Sequence, residues 1–336
     1  MIFESLAQFK MTMSSHILLT GGAGYIGSHM ALMLKDQGYQ PIVIDLKNNV
    51  CLEKNNIPIY IGDIGDQEFV LNILKKVDFK INAVMHFAGV IEVGESVINP
   101  IKYYEQNFSR TLNLLEVLIK NNIKKFIFSS TAAIFGEPEY TPINELHPKK
   151  PLNPYGQSKL FVENSLKDLD QSLGLKSVCL RYFNAAGADP KLRTGESHNP
   201  ETHLIPLVLQ AALGVRKNIK IFGDDYETPD GSCIRDFIHV EDLCAAHLLA
   251  LKYLDKNNQS NQFNLGNSHG TSVKEIIEIA QKITGKNIPV EICPRRAGDP
   301  KILIADNQKA KKILGWEPRY THMEEIIQHA WGWISQ

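Results

Sequence analysis

Apolar positions follow two alternating patterns through the first half of this chain and a looser one beyond it. Short runs of consecutive apolar residues, at 16–20, 41–45, 59–64, 83–89, 125–130 and 177–184, read as strands buried on both faces. Stretches with helical spacing lie between them. One starts around Met30, Ala31 and Leu34, and a second covers 69–77 through Val70, Leu71, Ile73, Leu74 and Val77. A third covers 101–121 through Leu112, Leu115, Val117 and Leu118, and a fourth runs from 155 to about 173. Strand and helix in strict alternation predict a parallel, doubly wound sheet with its ligand site at the carboxyl ends of the strands. From residue 185 the texture changes: 185–202 is rich in Gly, Pro and polar residues. Helices are expected beyond it at 204–213, 240–256, 273–284, 308–314 and 323–334. The last carries Met323, Ile326, Ile327, Ala330, Trp331 and Ile334 on one face, which needs a core to cover it. The expected class is therefore α/β, a doubly wound (Rossmann) domain over 16–184 with a smaller mixed α/β lobe over 185–336, some of whose segments are able to return to the first domain. Residues 1–15 are expected to form an N-terminal extension. Met11 and Met13 are alternative starts, and the stretch lacks the apolar run and cleavage site of a signal peptide.

The strand ends carry the candidate chemistry. The first strand runs into Gly21-Gly-Ala-Gly24-Tyr25-Ile26-Gly27 and then a helix. Glycine in such a turn lets backbone N–H groups approach a pyrophosphate, which sits at the positive end of the helix. The second strand ends in Asp45, suitably placed to accept hydrogen bonds from an adenosine ribose and to repel a 2′-phosphate, which favours NAD over NADP. Asp63 ends the third strand, and Phe87-Ala88-Gly89 gives the fourth a small-residue end fit to lie beside a cofactor. Thr131 stands at the end of the fifth strand. Beyond a proline come Tyr155 and Lys159, four residues apart and so on one face of a helix. A free phenol loses its proton near pH ~10, and a nearby ammonium favours the phenolate, so the pair offers a base near neutrality. Taken singly, each feature also reads as ordinary: a solvated Y-x-x-x-K, a strand-end acid, a threonine capping its own turn. In the second lobe Arg235, Arg295 and Arg296 are either surface arginines or a planar grip for a diphosphate.

Composition narrows the class. With 336 residues, 43% apolar and 22% charged, a large core is available; a net charge of −1 without single-sign runs excludes nucleic acid or an anionic membrane as the main partner. No apolar run reaches the ~20 residues of a membrane span. Five scattered cysteines without C-x-x-C pairing suit reduced thiols in the cytoplasm, and no metal is expected.

The set T-G-G-x-G-Y-I-G, strand-end Asp45, Ser129-Ser130-Thr131, Y-x-x-x-K and Arg181-Tyr182-Phe183-Asn184 resembles the extended short-chain dehydrogenase/reductases. Within them the chain is similar to the UDP-hexose 4-epimerases. Residues 221–239 and 183–190 carry that similarity most specifically, with His86-Phe-Ala-Gly-Val and Val93-Gly-Glu-Ser adding to it. The resemblance runs from about residue 16 to the end. It implies a tightly held NAD and the reversible interconversion of UDP-glucose and UDP-galactose through a 4-keto sugar. Tyr155 would take the proton of the C4 hydroxyl, directly or through Thr131, while hydride passes to the nicotinamide. Lys159 would hold the nicotinamide ribose and depress the phenol's pKa. By the same matching Gly21, Gly24, Tyr25, Ile26, Gly27, Asp45, Asp63, Ile64, Phe87, Ala88, Asn107, Tyr155, Lys159 and Tyr182 would surround the NAD. Thr131, Phe183, Asn184, His203, Leu204, Phe222, Arg235, Arg296 and Asp299 would hold the UDP-sugar. A homodimer pairing helices 101–121 and 155–173 is implied as well.

Some positions depart from the pattern. The segment 46–57 is short, Ile91 replaces a lysine, and His203 replaces an asparagine. Leu303 stands where some members carry a tyrosine that restricts the substrate to non-acetylated sugars, so UDP-N-acetylglucosamine or a UDP-pentose is the alternative substrate. A 4,6-dehydratase needs an acid pair after Thr131, and those positions are Ala132 and Ala133. A non-catalytic NAD-binding sensor has no use for Thr131, Tyr155 and Lys159 together.

Overall fold

The computed structural model describes residues 15–296 and 299–336; the expected extension lies outside them, Ser15 excepted. Thirteen strands occur among these residues. They are β1 (His16–Thr20), β2 (Gln40–Asp45), β3 (Ile59–Ile61), β4 (Ile81–His86), β5 (Lys125–Thr131), β6 (Lys176–Tyr182), β7 (Asn184–Ala186), β8 (Ile219–Phe222), β9 (Ile234–His239), β10 (Asn261–Leu265), β11 (Gly270–Ser272), β12 (Val290–Cys293) and β13 (Ile302–Leu303). Seven of them form a wholly parallel sheet in the order β10-β6-β5-β4-β1-β2-β3. The order reverses between β1 and β4, which opens the crevice a doubly wound sheet offers to a ligand.

The continuous apolar strands are explained by a core on each face. On β1, Ile17 and Leu19 enter one cluster and Leu18 the other; on β5, Ile127 enters the first, Phe126 and Phe128 the second. Helices Tyr25–Asp36 and Val240–Asn257 cover the first face, and Gln67–Lys76, Arg110–Lys120 and Pro154–Leu173 the second.

After Tyr182 the chain leaves this sheet. β7 joins a smaller one centred on β9, which also pairs antiparallel with β11 and parallel with β13. Parallel β8 and β12 form a separate pair. Helices Leu204–Ala212, Val273–Thr284 and Met323–Ile334 close a third core, and the last does bury the face named above. The chain then returns: β10 lies against β6 as the seventh strand of the large sheet. Its sequence, Asn-Gln-Phe-Asn-Leu, hides this edge role, because a buried Asn264 interrupts the apolar side chains. The side-chain amide of Asn264 donates to Ile143 O at 2.9 Å, and its backbone N–H to the Glu145 carboxylate at 2.8 Å.

Three expected elements differ. β3 and β4 stop at Ile61 and His86, earlier than their apolar runs, as the chain leaves the carboxyl ends of these strands. The helix expected over 101–121 runs from Pro100 to Lys120 with a wide π-type turn at Tyr104–Ser109, and Asn107 sits in that turn.

Candidate active site

Helix Pro154–Leu173 starts as its sequence dictates. Asn153 caps it, its side chain accepting from Gly156 N at 2.9 Å, and Pro154 occupies the first turn, where no N–H is needed. Gly156 lets this turn lie against the strand end: a Cβ there would stand 2.5 Å from Ala133 O. Tyr155, Lys159 and Glu163 follow at i, i+4 and i+8 on one face. Glu163 makes a two-pronged ion pair with Arg181 of β6, 2.6 and 2.9 Å, and accepts from Ser130 Oγ of β5 at 2.6 Å. The whole pair is buried. It ties the helix to the two strands whose ends build the site.

Thr131 and Tyr182 face each other in register at the ends of β5 and β6. Thr131 Oγ1 accepts from Ala133 N at 3.1 Å, so it does cap its own turn. That leaves its O–H free to point at the Tyr155 phenol. Burial raises the phenol's pKa, and the hydrogen bond with Thr131 pulls it back. Lys159 differs from expectation: its ammonium donates to Ser129 O at 3.1 Å and lies over the Phe128 ring rather than meeting the phenol. Burial lowers it to about 8. Burial thus pushes the phenol up while the lysine's ammonium is engaged by the strand.

The glycine loop is built from both sides. Gly21 has φ +71° and approaches the Phe87-Ala88 backbone so closely that a Cβ would stand 2.4 Å from Ala88 N; a Cβ on Gly27 would stand 2.3 Å from Gly21 O. Gly24 is another matter, since a Cβ there meets only Gly21 O at 3.4 Å. Packing does not demand this glycine, but a ligand lying on the loop would. The helix Tyr25–Asp36 begins with no side-chain cap and no acid in its first turn, so its first N–H groups are available to an anion. These residues fit a dinucleotide pyrophosphate.

Asp45 ends β2 beside the loop, accepting from Ala23 N at 2.9 Å, and Asn49 donates to Ala23 O at 2.9 Å. The short segment after Asp45 thus folds back onto the loop. Asp63, at the edge beyond β3, accepts from Gly65 N at 2.8 Å and pairs with Arg110, and Ile64 is buried. Tyr25 reaches across to donate to Gly187 O at 2.7 Å, with Ile26 packed on the first core. Tyr182 shares a hydrogen bond with Ser129 Oγ. Asn107 commits its amide to the protein: it accepts from Val90 N at 2.8 Å and donates to Val90 O at 2.9 Å and Ser158 Oγ at 3.1 Å. Its place is behind the Gly89-Val90 loop, which it positions. His86 is held between Thr20 and Thr111, and burial lowers it to about 3. Thr111 gives its only hydroxyl proton to Asn107 O, so His86 must donate from Nε2 and accept at Nδ1.

Across the cleft, Arg235 on β9, Arg296 and Asp299 converge. Asp299 lies 3.8 Å from the Arg235 guanidinium and 3.5 Å from that of Arg296, which stacks 4.1 Å from the Phe222 ring centroid. Arg235 also donates to Pro300 O at 2.8 Å. Arg295 points elsewhere, pairing with Asp225 and stacking on Tyr226. Asn184 ties β7 to β9 through Asp236 O at 2.9 Å. Phe183 and Leu303 each pack against the cluster of Ala132, Ile134, Phe135 and Ile143 that follows Thr131. Leu204 opens helix Leu204–Ala212 with His203 as its cap residue. His203 stands apart from the arginines, between Glu196 and Glu201 at 2.8 Å from each; burial opposes its charge, but the carboxylates outweigh that and raise it to about 10.

Residues 17–266 match the model of the NAD dependent epimerase/dehydratase family. The chain belongs to that family. It is 53% identical over 321 residues to the UDP-glucose 4-epimerase of Halalkalibacterium halodurans, covering 95% of this chain and 96% of the relative. Among solved structures it superposes with a TM-score of 0.90 on the UDP-glucose 4-epimerase of Bifidobacterium longum in complex with NAD+ and UDP, at 39% identity and over 96% and 98% of the two chains. The UDP-Glc/GlcNAc 4-epimerase of Campylobacter jejuni superposes at 0.83, with 43% identity over 96% and 99%.

For an epimerase/dehydratase of this family, the residues that sequence reasoning missed support others. Asn49 braces the glycine loop. Ser129 receives Lys159 on its carbonyl and Tyr182 on its hydroxyl. Glu163 is the third member of the stripe begun by Tyr155 and Lys159; its i+8 position was the available signal.

Proposed function

We propose that this chain interconverts UDP-glucose and UDP-galactose at C4, holding NAD throughout. The observation that carries the reading is the Thr131 hydroxyl, held by Ala133 N, beside a half-buried Tyr155, with no acid at 132 or 133 to expel water. Gly21, Gly24, Gly27 and the first N–H groups of helix Tyr25–Asp36 hold the cofactor's pyrophosphate; Asp45 meets its adenosine ribose and Lys159 its nicotinamide ribose. Bound NAD supplies a reversible hydride acceptor for the sugar, which passes through a 4-keto form. Tyr155 takes the C4 hydroxyl proton, directly or through Thr131, and later returns it. Arg235, Arg296 and Phe222 grip the uridine diphosphate, with Asp299 aligning the two guanidinium groups, so the hexose is free to turn over about its link and present its other face. Phe183, Asn184, His203 and Leu204 line the sugar side.

A second reading is favoured by Leu303. Like Phe183, it packs against the cluster that follows Thr131, and a leucine leaves more room there than a tyrosine. An N-acetylated hexose is then accepted as well, as the name of the Campylobacter jejuni relative states for that protein. Purified protein supplied with UDP-galactose and, separately, UDP-N-acetylgalactosamine tests both. Turnover of the first alone supports the main reading, comparable turnover of both supports the second, and turnover of neither sinks the function.

The two lobes, divided near residue 184, act as cofactor and substrate halves. A homodimer through helices Pro100–Lys120 and Pro154–Leu173 is supported by the exposed Val97, Ile98, Ile101 and Phe161 on this side. Among the described residues no helix is long and apolar enough to cross a membrane, and the cysteines are free thiols, which supports a cytoplasmic setting.

A further inference from the structure

Between β7 and helix Leu204–Ala212 the chain runs through Glu196-Ser-His198-Asn-Pro-Glu201-Thr-His203. Four side chains of this short stretch turn inward to one point. One ligand-type atom from each of Glu196, His198, Glu201 and His203 lies within 4.8 Å of all the others. His203 Nδ1 is 2.8 Å from an oxygen of each carboxylate, and His198 Nδ1 is 3.2 Å from Glu196 and 3.9 Å from Glu201. A zinc ion bound tetrahedrally by imidazole and carboxylate at ~2.0–2.1 Å has ligand atoms about 3.3 Å apart. The three shorter edges fall a little below that value, and the 3.9 Å edge runs to the second oxygen of Glu201.

Charge and hydrogen bonding point the same way. Both carboxylates are nearly covered, with 6% and 5% of their side chains exposed, while His198 and His203 keep 33% and 38%. The cluster is therefore sheltered yet reachable from solvent. Glu201 is already aimed, since its Oε1 accepts from the backbone N–H groups of Thr202 and His203 at 2.8 and 2.9 Å. His203 bridges both acids, while His198 Nδ1 makes no well-aligned hydrogen bond and stands 3.2 Å from Glu196, a contact made favourable either by a proton on Nδ1 or by a metal ion between the two. The H-x₄-H spacing falls within the usual H-x₃₋₅-H range of zinc ligands. The scaffold is firm as well: Trp333 donates from Nε1 to Glu196 O at 3.1 Å, and Gly195 lets the Trp333 ring close in, where a Cβ would stand 2.3 Å from it.

We propose that Glu196, His198, Glu201 and His203 bind a divalent transition metal of the zinc type, as a structural clip on the segment leading into helix Leu204–Ala212. Two imidazoles and two carboxylates neutralise the ion and close its tetrahedron, leaving no open position for catalysis. The ion would fix the segment that delivers His203 and Leu204 to the sugar side of the cleft. It adds to the proposed epimerase function without depending on it.

The full-length protein, dialysed against a chelator, is titrated with Zn²⁺ alone by calorimetry and with Co²⁺ alone by visible absorption. Wild type should take up about one ion per chain with the strong absorption of tetrahedral cobalt, and its melting temperature should rise with added Zn²⁺. His198→Ala and Glu201→Gln should each weaken binding by about tenfold or more while keeping the wild-type circular dichroism. Should one variant fail to fold, the other carries the test. The proposal is overturned if wild type takes up no ion, or if a folded variant binds as tightly as wild type. Equal binding would send the ion elsewhere, for instance to His239 and His329, whose ring nitrogens are 3.0 Å apart.

Discussion

On the sheet side of the cleft, Lys159, Glu163 and Arg181 are buried in the wall formed by β5, β6 and helix Pro154–Leu173, and each meets a fixed partner there. Across the cleft Arg296 leaves 63% of its side chain exposed, and its carboxylate neighbour is 3.5 Å away. The backbone behind each side is secured differently too. Apolar clusters on both faces hold the large sheet. In the second lobe one buried acid next to Arg235, Asp236, accepts N–H groups from Asn267 at 2.7 Å and from Ser268 and Ala305 at 3.0 Å, tying β9 to the loops beside its ladder partners β11 and β13. The sheet side is thus preset without ligand. The second-lobe side has an apolar core of its own, to which Asp236 adds polar ties, and it leaves Arg296 exposed.

That contrast can be broken from either side. The largest effect is expected on the preset side: Tyr155→Phe should cut kcat by roughly 10²–10⁴ with the melting temperature unchanged, because it removes a proton-transfer group and no packing. A variant with full epimerase turnover would falsify the role of the phenol. Next, Glu163→Ala should cost about 3–5 kcal/mol in denaturant unfolding, since it strands a buried guanidinium. A loss below about 1 kcal/mol would mean that the helix is held by apolar packing alone. On the other side, Arg235→Ala should raise KM for the sugar nucleotide by about 10–100-fold with a smaller change in kcat, the scale of one lost charge-assisted contact. Equal losses in kcat would place that arginine in the chemistry instead of the grip.

The smallest effect is the pH dependence of Asp236. Burial raises it to about 7, against the pull of its three N–H donors. Its folded value lies above its unfolded one, so the stability it contributes is complete below its ordinary value and is lost as pH rises through about 7. His86 acts in the opposite sense, its burial-lowered pKa giving stability above its ordinary value that is lost on acidification. The melting temperature of wild type relative to Asp236→Asn should therefore fall between about pH 4 and about pH 7. A difference that stays flat across that range would show that the donors keep Asp236 ionised.

Much of this arrangement is legible in the chain. The β1 run, the glycine loop, Asp45, the strand end at Thr131 and the Tyr155–Lys159 spacing all depend on neighbours within one strand, turn or helix, and local periodicity reports such features. The chain after residue 184 is less legible. Its strands are two to six residues long, and β10, which returns to the large sheet, carries a buried asparagine whose partners lie some 120 positions away. The expectation that Lys159 lowers the Tyr155 phenol came from their shared helix face; that the ammonium also donates to a strand carbonyl, Ser129 O, is not visible from that spacing.

The sequence by itself determined the alternation of strand and helix, the glycine loop between β1 and its helix, and the shared face of Tyr155 and Lys159, because each is written in residues close along the chain. Only the tertiary structure decided that Asn107 braces a loop, that Glu163 anchors the base helix to Arg181, that Asp236 joins three distant segments, and that Glu196, His198, Glu201 and His203 meet at one point. Those facts depend on which buried polar group finds which partner. Side chains must satisfy their hydrogen bonds wherever the fold brings donors and acceptors together, and spacing along the chain carries no record of that choice.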